Sequence, residues 1–156
     1  MTGILEKHVT RYLKPFIMQN STQQVIDRCK ELIEQYGKNC EKMTGDDLIL
    51  MQDKLAVASC YLGEIEAENN KDYAMSYRNR LMVKASSVSM AIAEGDGVTK
   101  AKEESENDPD VQSSRYDEII NSYLAENVQN LLKGITRVLT AIQFRITRLR
   151  DEQRNS

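Results

Sequence analysis

The sequence predicts an all-α fold: a long antiparallel helical hairpin or coiled coil with short N-terminal helices, assembled as an oligomer. Three observations predict it. Leu124, Val128, Leu131, Ile135, Val138, Ile142, Ile146 and Leu149 recur at steps of three and four, which lines one face of a long helix with apolar side chains. Charged residues make up 29% of the chain, with two prolines and no tryptophan, a balance that favours long amphipathic helices. Strictly alternating β-branched runs are absent. The 156 residues suffice for one domain and one core. An apolar ladder of this kind needs a partner helix or a partner chain. A hairpin and a coiled coil between copies use the same stripe, so a homo-oligomer is expected and the number of copies stays open.

Residues 1–43 carry the N-terminal helical segments. A mildly basic lead over 1–20 is interrupted by Pro15, which ends a first segment. Ser21-Thr22-Gln23-Gln24 resembles a capping box before a helix bearing Val25, Cys29, Leu32, Ile33 and Tyr36, and Gly37 is its stop.

A long helix is expected over 44–94. Thr44-Gly45-Asp46-Asp47 opens it, with acids at the positive end of the helix dipole. Leu48, Met51, Leu55, Ala58, Leu62 and Ile65 set the apolar row, Asn69 falls on the seam, and Tyr73, Tyr77, Leu81, Ala85, Val88 and Ile92 resume it. Because the phase survives Asn69-Asn70-Lys71-Asp72, that polar stretch reads as helix rather than turn. Glu94-Gly95-Asp96-Gly97 breaks the helix, an acidic turn region follows over 95–111, and the heptad helix fills 112–153.

Composition narrows function mainly by exclusion. The net charge is −3 and the pI about 5.3, which argues against a uniformly basic nucleic-acid binder. Charge is segregated, however: Lys133, Arg137, Arg145, Arg148, Arg150 and Arg154 crowd the last helix, while residues 94–110 are strongly acidic. Cys29, Cys40 and Cys60 are odd in number and widely spaced, which suits a reducing compartment. No signal-peptide pattern and no apolar run of ~18 residues is present, so no membrane span and a cytoplasmic location are expected. His8 is the single histidine, and no P-loop, G-x-G-x-x-G or H-E-x-x-H occurs. No catalytic residue, metal site or cofactor is therefore expected, and the chain reads as non-enzymatic.

The best candidate binding element is Lys71-Asp72-Tyr73-Ala74-Met75-Ser76-Tyr77-Arg78-Asn79-Arg80-Leu81-Met82-Val83-Lys84. Cations interleaved with tyrosines can hold single-stranded nucleic acid through backbone charge and base stacking. Equally, Tyr73 and Tyr77 are four apart and fit the helix seam as core. A hairpin turning near residue 102 would set residue 71 opposite 133 and gather Lys71, Lys133 and Arg137.

The layout resembles a known group. Leu55, Leu62-Gly63-Glu64, Tyr73 with its basic neighbours, Ala91 to Glu94-Gly95 and the Val98-Thr99 restart are followed by Leu131-Leu132, Val138-Leu139, Ala141-Ile142, Arg145-Ile146 and Leu149-Arg150. This pattern is similar to small helical proteins of tailed-phage recombination clusters, and in layout to the UvsY-type recombination mediator, over the last two thirds of the chain. The resemblance implies an oligomer that binds single-stranded DNA and helps load a recombinase onto DNA coated with single-strand-binding protein. Lys54, Lys71, Arg78, Arg80 and Lys84 are the nearest equivalents of the DNA-contacting positions. The acidic run Leu62-Gly63-Glu64-Ile65-Glu66-Ala67-Glu68 departs from that pattern. Two other readings stand beside it: a phage-encoded protein-interaction module that inhibits a host or defence protein, and a structural coiled-coil subunit.

Overall fold

The computed structural model describes residues 22–155, which are helical throughout apart from short turns. Helix α1 spans residues 22–39, α2 Gly45–Ala93, α3 Val98–Ser105 and α4 Pro109–Arg154. His8, Pro15, Ser21 and the first helical segment expected before Pro15 lie outside the described residues. The helices contribute to two compact units: the first holds described residues 22–65 and 130–155, the second Glu66–Gln129.

Local chemistry fixes the helix ends. At the start of α2 the Asp47 amide donates to Thr44 Oγ1 (3.2 Å), while the Thr44 amide donates back to Asp47 Oδ2 (3.0 Å). This reciprocal box satisfies two backbone donors that the helix leaves orphaned; the Thr44 hydroxyl, donating to Asp47 Oδ2 (2.7 Å), and after it the Thr44 amide hold the Asp47 carboxyl below the ordinary carboxylate range. Through the polar stretch 69–72 α2 continues without a break. It ends at Gly95, whose φ of 106° only glycine adopts cheaply; Asp96 N–H then reaches Ala91 O and Gly95 N–H reaches Ile92 O, closing a Schellman turn. Helix α4 begins three residues before the expected start, with Pro109 at its first position, where the missing N–H costs nothing. Asp108 caps it by accepting from the Asp110 amide (2.8 Å).

In the first unit three helices share an apolar core. Cys29 and Leu32 of α1, Leu48, Met51, Leu55, Ala58, Leu62 and Ile65 of α2, and Ile135, Ile142 and Ile146 of α4 are buried. Burial pushes the Cys29 thiol pKa up, and Cys29 Sγ points at Ala58 O (3.9 Å), tying α1 to α2. Gln52 Nε2 donates to Gln143 Oε1 (3.1 Å), tying α2 to α4. Gly134 presents a bare backbone to α1: a Cβ there would meet Ile33 Cδ1 at 3.7 Å, ordinary contact.

The second unit is built differently. Its buried residues are Ala101, Val111, Ala125 and Val128 together with Ser76, Ser87, Ser105 and Ser114. Helix α3 contributes Ala101 and Ser105 to this seam. Two expected rows need correction here. Tyr73, Tyr77 and Leu81 do not face inward; the α2 residues that do are Ser76, Arg80, Val83 and Ser87. Leu124 is 46% exposed, and the buried position beside it is Ala125. The reason is common to both. Small side chains let two helices approach closely, and the row that wins is the one whose small and ion-paired groups fit, not the bulkiest.

Candidate interaction surface

The predicted cations divide between the units. Lys54, Lys133 and Arg137 are exposed on the first unit; Lys71 and Arg78 are exposed on the second. Arg80 and Lys84 are engaged. Arg80 Nε pairs with Glu118, both side chains largely shielded from solvent. Lys84 pairs with Glu106, which also accepts from Arg115 Nη2 (2.5 Å). Glu106 consequently stays ionised below the usual range, held first by the Lys84 hydrogen bond and then by Arg115. Arg80 also lies over the Tyr77 ring, 5.4 Å from its centroid.

The register also differs from the expected one. Asn69 Nδ2 donates to Leu124 O (3.4 Å) and Arg80 meets Glu118, so Lys71 stands near the level of Leu124. Lys133 and Arg137 belong to the other unit. The pairings Asn69–Leu124 and Arg80–Glu118 centre the hairpin near residues 97 to 99, a few residues before the expected turn at 102.

Electrostatically the second unit is acidic, with seven Lys and Arg against thirteen Asp and Glu, a net −6. Phosphate backbones are disfavoured by such a field. Its more distinctive property is apolar. Met75, Tyr77, Leu81, Met82 and Met90 on α2, and Tyr116, Ile119, Ile120, Tyr123 and Leu124 on α4, are all exposed. Tyr73, Ile119, Ser122, Tyr123 and Glu126 border a surface cleft of about 560 Å³, with the Arg80–Glu118 pair in its wall.

Sequence reasoning missed this surface because it placed Tyr73, Tyr77, Leu81 and Leu124 on a seam and assigned Tyr116, Ile119, Ile120 and Tyr123 no role. The signal was present: Tyr116, Ile119, Ile120, Tyr123 and Leu124 make a band wider than one seam can bury. Among the described residues no cluster of His, Cys, Asp and Glu is grouped to hold a metal, and no helix is long and apolar enough to cross a membrane. Compared with known proteins, the chain matches no protein-family model, and neither a curated protein nor a solved structure is significantly similar to it.

Proposed function

We propose that the chain is a non-enzymatic docking and assembly protein whose second unit receives a helical partner. One observation carries this reading: the second unit buries serines, alanines and ion pairs while its large apolar side chains face outward. Exposed large apolar residues clustered on one face of a helix, as Tyr116, Ile119, Ile120, Tyr123 and Leu124 are on α4, mark an interaction site in soluble proteins. The test is binding of the dye ANS to the folded chain, compared with Ile119→Asp. Bright emission that falls in the variant, at unchanged helical circular dichroism, supports the reading. Emission that is weak in the wild type, or indifferent to the substitution, removes the second unit as a docking surface.

A second reading has a specific observation in its favour. Tyr73 and Tyr77 are exposed rather than core, and they lie one helical turn apart beside exposed Lys71 and Arg78. Stacking with two flanking cations suits single-stranded DNA, as in a phage recombination accessory acting with a recombinase or single-strand-binding protein. Fluorescence anisotropy with labelled oligo-dT at low salt decides it: binding that weakens in Tyr77→Ala and in Arg78→Glu supports DNA contact, and no binding at low salt excludes it.

A further inference from the structure

Large apolar side chains are exposed on the first unit as well: Ile49, Leu50, Val57, Tyr61 and Phe144. Phe144, on α4 in the first unit, is 73% exposed, the highest value among the exposed large hydrophobics of the described residues. Arg137 lies two turns before it and Arg148 one turn after it, both exposed, so an aromatic ring projects between two cations. Arg148 is paired only with Glu152 on the same helix, an exposed i,i+4 contact of small energy. Described residues of the first unit sum to +1, against −6 for the second.

The complement of this feature is the cleft on the second unit. Tyr73, Ile119 and Tyr123 offer apolar and aromatic walls; Arg80 and Arg115 also line the cleft but are paired with Glu118 and Glu106, while Glu126 has no ion pair among the described residues. An aromatic anchor entering an apolar cleft beside an unpaired carboxylate that faces a cation is how hot spots in protein interfaces are built.

We propose that the Phe144 face of one copy docks in the Tyr73–Tyr123 cleft of a second copy. The proposal rests on the reading of the second unit as a docking surface and names its occupant. Donor and acceptor are different surfaces, so one contact uses the Phe144 of one copy and the cleft of the other; it closes when two copies exchange it and grows into a ring or filament when they do not. Apolar and charged terms both contribute, so association weakens as salt rises.

The experiment is sedimentation velocity over a concentration series of the full chain, Phe144→Glu, Tyr123→Asp and an equimolar mixture of the two variants. Both positions are exposed, and circular dichroism checks that each variant keeps its helices. The wild type is expected to self-associate, and each variant alone to lose association at least tenfold. The mixture is expected to form a one-to-one dimer and stop, since one intact donor meets one intact cleft. A second pair, R148E and E126R, should each be weak alone and associate when mixed. Self-association abolished by Tyr123→Asp but untouched by Phe144→Glu would mean a two-fold contact between clefts and overturn the proposal. So would a wild type that stays monomeric at its highest soluble concentration. In that monomeric case the ANS result still separates the two ideas: emission lost in Ile119→Asp leaves the docking surface standing with a different occupant, and no emission sinks both.

Discussion

The first unit buries Leu32, Leu48, Leu55, Leu62, Ile135 and Ile142 completely; the second buries Val111 and Val128 and otherwise fills its seam with alanines, serines and ion pairs. The same two long helices supply both. Fully burying one large aliphatic side chain is worth about 1.5–3 kcal/mol, whereas a serine bonded to its own helix, as Ser76 is to Tyr73 O and Ser114 to Val111 O, contributes close to nothing beyond avoiding an unpaired hydroxyl. The contrast teaches that helix pairing and core formation are separable. The first unit gains its stability from α1, which supplies Cys29 and Leu32 as a third layer. In the second unit the short α3 gives only Ala101 and Ser105. Long-range polar contacts there fix which residues meet, and the large apolar groups face outward.

The largest expected effect comes from breaking the first unit. Ile135 is 0% exposed in its core. Ile135→Asp buries a carboxylate with no partner and should destabilise by more than about 4 kcal/mol, since both the cavity and the unpaired charge count against it. Thermal melting followed by circular dichroism should show a low-temperature loss of helix. A wild-type melting curve would mean that the α4 ladder is not a core.

The next test sharpens the polar side of the comparison. Glu118→Ala leaves the shielded Arg80 guanidinium without its carboxylate and should cost roughly 1–3 kcal/mol. Replacing both, as Arg80→Met with Glu118→Leu, should recover most of that loss or exceed it, because shielded pairs seldom outperform apolar packing. Denaturant unfolding of the two variants decides. If the double variant is as weak as the single one, the pair specifies the second unit's seam in a way apolar contact cannot replace.

Acid should then separate the units by a smaller margin. In the second unit, Glu106 is held below its ordinary value by hydrogen bonds from Lys84 and Arg115, and Asp108 by Ser87, all contacts between distant parts of the chain. In the first, the lowered groups are Glu34 beside Lys38 and Asp47 beside Thr44, contacts within one helix or its cap. A carboxyl whose folded pKa is depressed stabilises fully above its unfolded value, 4.5 for Glu and 3.8 for Asp, and that stabilisation disappears as pH falls through the lower folded value. Between neutral pH and about pH 3, amide exchange is therefore expected to rise in residues 84–118 before it rises around Leu55 and Ile142. A reversed order would show that the ion pairs do not hold the second unit together.

These contrasts also explain which parts of the fold were legible in the sequence. Helical class, the Thr44 start, the Gly95 stop and the first unit's rows were visible because each rests on a strong local signal: a capping box, a positive φ, or large apolar residues at steps of three and four. The second unit's seam was not. Ser76, Ser114 and Ala125 carry almost no hydrophobic signal, and Arg80 and Glu118 look like solvated surface until their pairing is seen. Neither Arg80 nor Lys84 advertises in the sequence that a carboxylate already occupies it, which is why both were grouped with Lys71 and Arg78 as candidate DNA contacts.

The smallest expected effect is the most discriminating for that lesson. Leu124 and Val128 both belong to the apolar ladder read from the sequence, yet Leu124 is 46% exposed and Val128 only 3%. Leu124→Glu should leave stability within about 0.5 kcal/mol of wild type, as surface substitutions do, while Val128→Glu should cost several times more. Chemical denaturation measures both at a protein concentration low enough to suppress association. Should Leu124→Glu prove as costly as Val128→Glu, the ladder would be the true seam and Ala125 would not. Should it be neutral in the dilute chain but weaken self-association when concentrated, Leu124 would belong to the docking band, and its bulk would be explained by the partner rather than by the fold.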